Sequence, residues 1–158
     1  MGMATRVAEK TATVSVVLLE YASSGAFDVA NVIVLDKFEV KVDEAALATQ
    51  LGELATRIEG QLRSLSPDRV VVRRADSAMR PSNKEGPKFR LLLEGALTSA
   101  AQRIVSDTAL LSGRTCASTF GTGATKDSLD ALAMTLVGAK KYAEAAAAAL
   151  SAAAATGR

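Results

Sequence analysis

The sequence contains no histidine, no tryptophan and a single cysteine, and aromatic residues make up only 4% of it. Each shortage removes a class of chemistry. Without histidine there is no Ser-His-Asp or Cys-His nucleophile and no histidine general base. One cysteine and no histidine leave nothing from which to build a structural zinc site. An intrachain disulfide is impossible, and Cys116 reads as a small apolar core residue in a reducing, cytoplasmic setting. So few aromatic rings give poor support to a stacking platform for single-stranded nucleic acid. No run reaches the ~18 strongly apolar residues of a membrane span. Residues 1–12 lack the apolar centre of a secretory leader. Arg6 stands where a myristoylation motif requires Ser or Thr. Acid–base or metal-binding work is left to Asp, Glu, Lys and Tyr.

What is present suits one soluble domain. The chain has 158 residues, 49% of them apolar and 23% charged, enough to bury one sizeable core. The net charge of +2 conceals an asymmetry. Residues 1–60 carry five Lys and Arg against nine Asp and Glu, whereas residues 61–103 carry nine against four. The basic middle is the part suited to meeting phosphate.

Hydrophobic patterning gives an ordered series of elements. Residues 13–20 (TVSVVLLE) are β-branched and almost continuously apolar, as in a central strand. Residues 29–35 and 38–42 read as two further strands, with Asp36-Lys37 as a tight hairpin between them. Asp43 has the chemistry of an N-cap. Leu47, Leu51, Leu54, Ile58, Leu62 and Leu65 then form one stripe of a helix over 44–64. Ser66-Pro67-Asp68 ends it, and 69–73 (RVVVR) is a short buried strand. A polar loop over 74–87 leads to a helix that starts at Pro87 and runs to 104. Residues 108–112 and 115–119 read as extended, Gly121-x-Gly123 as a plain turn, and 126–137 as a helix. An alanine-rich helix of high propensity occupies 139–155. The division expected is a flexible N-terminus over 1–12, a domain over 13–138 and a C-terminal helix and tail over 139–158. The element order is β-β-β-α-β-α-β-α. Short links between the first strands imply antiparallel pairing, and the later crossovers imply parallel strands, so the expected fold is α/β with a mixed sheet.

At residue level, Asp127-Ser128-Leu129-Asp130-Ala131-Leu132-Ala133 resembles the D-x-x-D-A-L-A signature of RuvC-type Holliday junction resolvases. Asp68-Arg69-Val70-Val71-Val72 resembles that family's lead-in to the fourth strand. The resemblance covers about residues 13–137 and implies a ribonuclease H-like mixed sheet. It also implies a magnesium- or manganese-dependent endonuclease acting on branched or structured DNA, and a homodimer. Such enzymes cut phosphodiesters with two divalent ions held by carboxylates, about 4 Å apart. Hard oxygen ligands suit magnesium. Asp127 and Asp130, three apart on one helix face, match the family's last two metal ligands. Glu20, at the end of the first strand as read here, stands near the place of the first ligand. Arg73 falls where the family has its strand-four Glu, and Asp76 is the nearest substitute. The catalytic set is therefore Glu20, Asp127 and Asp130, and the metal set adds Asp76. Arg73, Arg74, Arg80, Lys84, Lys88 and Arg90 form a basic span suited to phosphates.

Plainer readings stand beside these. Asp127 and Asp130 also serve as helix N-terminal carboxylates that offset the dipole. The basic span also reads as a solvated loop. An arginine at the strand-four position repels magnesium and would instead pair with Asp127 or Asp130. The alternative function is then a catalytically inactive nucleic-acid- or protein-binding module on the same fold.

Overall fold

The computed structural model describes residues 1–8, 11–21, 27–43, 46–76 and 85–156. Five strands and five helices occur among them: β1 (Gly2–Ala8), β2 (Thr11–Tyr21), β3 (Val32–Val42), α1 (Leu47–Leu65), β4 (Val70–Arg74), α2 (Glu85–Ile104), β5 (Thr108–Ser112), α3 (Gly113–Phe120), α4 (Lys126–Val137) and α5 (Ala143–Thr156). The strands form one sheet in the order β3-β2-β1-β4-β5. β1–β2 and β2–β3 are antiparallel, while β1–β4 and β4–β5 are parallel. The fold is thus the expected α/β mixed sheet of the ribonuclease H-like type.

Helices cover both faces. Leu54, Ile58 and Leu62 of α1 and Leu93, Leu97 and Ala101 of α2 pack on Met3, Val14, Val16, Val40, Val70 and Val72. On the other face, α5 lies across Ala4, Val17 and Val71, flanked by Cys116 and Ala117 of α3 and Leu129 and Ala133 of α4. The alanine-rich composition of α5 has a steric cause. A Cβ added to Gly2 would sit 2.0 Å from the Ala145 carbonyl oxygen and 2.3 Å from the Ala149 nitrogen. Helix and central strand touch backbone to backbone, which small residues alone permit. Residues Ala145 to Ala149 are buried accordingly.

Three elements differ from the sequence reading. Residues 2–8 are not a flexible arm; they form β1, the middle strand of the sheet. The face of β1 under α5 carries Gly2, Ala4 and Arg6, so the segment lacks the apolar run that marks a central strand. β3 is one continuous strand, with Asp36 and Lys37 inside it rather than at a hairpin. Its pairing with β2 shifts between Leu18 and Leu19, leaving Leu35 as an extra residue. The bulge reverses the strand's faces: Val34 packs toward α5, whereas Phe38 and Val40 pack toward α1. One missed strand and one split strand cancel, so three leading strands are expected and three are found, one position displaced. Finally, 115–119 is helical. The Ser112 hydroxyl caps α3 by accepting from the Thr115 amide at 3.2 Å, and Cys116 and Ala117 are buried. With α3 and α4 in place, the last core helix is α5, so 139–155 belongs to the core and is not an appended tail.

Candidate functional site

The parallel strands β1, β4 and β5 end on the same edge of the sheet, where α/β folds place their ligands. Arg73 is the fourth residue of β4, in register with Ala4 of β1 and Leu111 of β5. It ends an apolar run, yet its side chain is only 2% exposed. Burial is possible because the guanidinium is paired on both teeth. Nη1 donates to Asp130 Oδ1 at 2.6 Å and Nη2 to Asp130 Oδ2 at 3.1 Å. Gly113, at the start of α3, makes the room: a Cβ there would lie 2.5 Å from Arg73 Nη2.

The pair is embedded in further charges. Lys126, one turn before Asp130, donates to Asp130 Oδ2 at 3.0 Å and lies 4.0 Å from Asp76 Oδ2. Asp76 Oδ1 in turn accepts from the Gly113 amide at 3.0 Å. α4 can present Lys126 and Asp130 together because a capping box fixes its start, with Ser128 N donating to Thr125 Oγ1 at 3.1 Å and Thr125 N to Ser128 Oγ at 2.9 Å. Burial raises the Asp130 carboxyl, but the hydrogen bonds and charges of Arg73 and Lys126 outweigh it and hold the group below its ordinary value. Arg73 is correspondingly held further in its charged form: burial opposes the charge, and Asp130 overcomes that.

A second chain of charges lies beside the first. Glu144, in the first turn of α5, accepts from Arg90 Nη2 at 3.0 Å, and Arg90 Nε donates to Glu94 Oε1 at 2.8 Å. Glu94 is 1% exposed and also accepts from Thr5 Oγ1 at 3.1 Å and the Ala75 amide at 2.8 Å. A third group spans β1, β3 and the turn before α5: Glu39 accepts from Arg6 and from Lys141 Nζ. A cavity of about 630 Å³ lined by Val7, Arg74, Asp76, Gly86, Pro87 and Arg90 lies beside these groups, and two more open between them. One, about 650 Å³, is lined by Ala4, Arg6, Asp130, Met134, Lys140, Lys141, Ala143 and Glu144. The other, about 610 Å³, adjoins it through Arg6 and Lys141 and adds Lys41 and Arg90.

The residues expected to form the site are therefore only partly together. Asp76 and Asp130 meet around Lys126 and Arg73, and Arg73 pairs with Asp130 as its charge requires. Asp127 is exposed in the first turn of α4. Glu20 is exposed near the end of β2 and pairs with Ile33, so it lies toward the opposite edge of the sheet, in a hollow with Leu18, Leu35, Leu65 and Pro67. It sits at the end of the second strand, because β1 precedes the segment read as the first. Asp127 and Asp130 lie on α4 rather than on the last core helix. On α5 and the turn before it, the residues three apart at this edge are Lys141 and Glu144. Of the basic span, Arg73 is buried, Arg74 is exposed, Lys88 pairs with Glu85 at 3.0 Å and Arg90 bridges Glu94 and Glu144. Arg80 and Lys84 lie outside the described residues.

A pair of divalent ions needs several carboxylates with free oxygens. Among the described residues no group of three or more Asp, Glu or Cys side chains is close enough to hold an ion. Both oxygens of Asp130 already accept from Arg73, one of them also from Lys126. The described residues at this edge do not fit a magnesium or manganese pair.

Similarity to solved structures decides the fold. Thermus thermophilus RuvC superposes with a TM-score of 0.65 at 18% identity, covering 95% of this chain and 90% of that one. This chain has the RuvC fold. A second structure, T. thermophilus RuvC in complex with a Holliday junction substrate, gives 0.62 at 16% identity, with 95% and 88% covered. No family model matches the chain, and no curated protein matches it. Among the described residues no helix is long and apolar enough to cross a membrane.

The sequence reading missed Glu94, Glu144, Arg6 and Lys141. Glu94 left a signal: it occupies the buried stripe of α2, three and seven residues before Leu97 and Ala101. A carboxylate on that stripe announces a buried charged partner. Arg6 and Lys141 left none, since the strand that carries Arg6 was not recognised.

Proposed function

We propose that this chain is a RuvC-fold nucleic-acid-binding module that holds branched or structured DNA without cutting it. The observation that carries the reading is the buried, two-toothed Arg73–Asp130 pair at the strand edge. It puts a fixed positive charge where a metal-dependent nuclease needs an open carboxylate. The endonuclease expected from the sequence requires Glu20, Asp76, Asp127 and Asp130 around one pair of ions, and Glu20 is toward the far edge of the sheet. Support for DNA as partner comes from the likeness to a RuvC bound to a Holliday junction, and from the excess of cations lining the two cavities. The proposal keeps the cytoplasmic setting and the homodimer expected from the sequence; light scattering reads the latter.

The test incubates a labelled four-way junction with the protein in magnesium, manganese or EDTA and reads native and denaturing gels in parallel. A shifted junction with intact strands is the expected result. Metal-dependent nicks that disappear in Asp130→Asn would establish an enzyme and refute the proposal. An unshifted junction would refute the nucleic-acid reading.

A further inference from the structure

We infer that the phosphates of that DNA are held by side-chain cations in the paired cavities at Arg6, Lys41, Lys140 and Lys141, with no metal ion, and not by Arg73, Arg74 or Lys88. The inference rests on the DNA-binding reading above and names its contact surface. The two cavities meet at Arg6 and Lys141, so together they form one cleft across the ends of β1 and β3 and the start of α5. Among the described residues, five basic side chains line it, Arg6, Lys41, Arg90, Lys140 and Lys141, against Glu39, Asp130 and Glu144.

Each of those carboxylates is already engaged. Asp130 is taken by Arg73 and Lys126, and Glu144 by Arg90. Glu39 is shared by two cations, Arg6 and Lys141, which leaves one positive charge of that trio uncompensated. Lys41 and Lys140 are exposed beside it. Glu39 therefore acts as a positioning residue: it fixes Arg6 and Lys141 at the boundary between the two cavities. The floor beneath is Ala4 and Ala143, short enough to let a backbone approach. By contrast Arg73 is buried, Arg90 is tied to two carboxylates and Lys88 is paired on its own helix. Of the four described members of the basic span, Arg73, Lys88 and Arg90 are held by carboxylates within the protein.

The test is fluorescence anisotropy of a labelled four-way junction across a potassium chloride series, in EDTA and in magnesium. Wild type is compared with Lys41→Gln/Lys140→Gln and with Arg74→Gln/Lys88→Gln. All four substituted side chains are exposed, and circular dichroism melts confirm that the variants fold. Removing one cation from a phosphate lowers the slope of log affinity against log salt by about 0.9. The cleft variant should therefore show a slope smaller by about 2, the other variant one close to wild type, and EDTA should change neither. A reduced slope only in Arg74→Gln/Lys88→Gln would overturn the placement while leaving DNA binding intact. Binding that requires magnesium would overturn the metal-free mode of holding phosphate. A wild-type protein that binds no junction would overturn both this inference and the reading it rests on.

Discussion

Replacing Arg73 by methionine and Asp130 by leucine, singly and together, tests the centre of the site as a double-mutant cycle. The two partners are unequally buried, 2% exposed for Arg73 and 25% for Asp130. Asp130→Leu leaves a buried guanidinium beside Gly113 without its two-toothed partner. An uncompensated buried charge of this kind costs about 3 kcal/mol or more. Arg73→Met is milder, about 2 kcal/mol, because the carboxylate left behind reaches solvent and keeps Lys126. The double variant removes both charges and fills the space with apolar atoms, so it should cost no more than about 2 kcal/mol. The coupling between the sites is then about 3 kcal/mol, the upper end of what neighbouring residues show. Urea unfolding at neutral pH, followed by far-UV circular dichroism, measures all four corners. Costs that add within about 0.5 kcal/mol would refute the pairing as the organising interaction of this edge.

Three other outcomes follow from the same geometry. Gly2→Val should unfold at markedly lower temperature, because its side chain meets the backbone of Ala145 and Ala149, which cannot rotate away; an unchanged melting temperature would contradict the close approach of β1 and α5. Cys116 is fully buried, and burial pushes its thiol above the ordinary value, so a thiol reagent should label it only after denaturant is added; rapid labelling of the native protein would contradict its place under α5. Asp130 has a folded-state pKa below its ordinary value of 3.8. Its contribution to stability is therefore complete above about pH 4 and is lost as pH falls below that value, so the acid limb of the wild-type stability curve should be steeper than that of Asp130→Asn; superimposable limbs would contradict the shift.

How much of this was legible in the sequence depended on which forces left a local trace. The stripes of α1 and α2 were readable because each packs one apolar face on the sheet. The α/β class followed from element order, although two compensating errors lay beneath it. β1 was hidden because its sequence answers to α5, a helix about 140 residues away: the close approach demands Gly2 and Ala4 and leaves no apolar run. The bulge at Leu35 was hidden because nothing in Asp36-Lys37 separates a hairpin from a strand whose register shifts. At the site, Arg73 was the informative residue, since an arginine ending an apolar strand must find a carboxylate. The D-x-x-D-A-L-A match includes Asp130, the carboxylate that pairs with Arg73, on a helix other than the one it implies. Glu20 lies near the end of the second strand rather than the first, because β1 precedes it.

The most direct test of the account is a manganese titration of wild-type protein, with free Mn²⁺ counted by its electron paramagnetic resonance signal. With Asp130 held by Arg73 and Lys126, the protein should withdraw no Mn²⁺ from solution below millimolar concentrations. A saturable micromolar site that vanishes in Asp130→Asn would contradict it, and would return this edge of the sheet to metal-dependent chemistry.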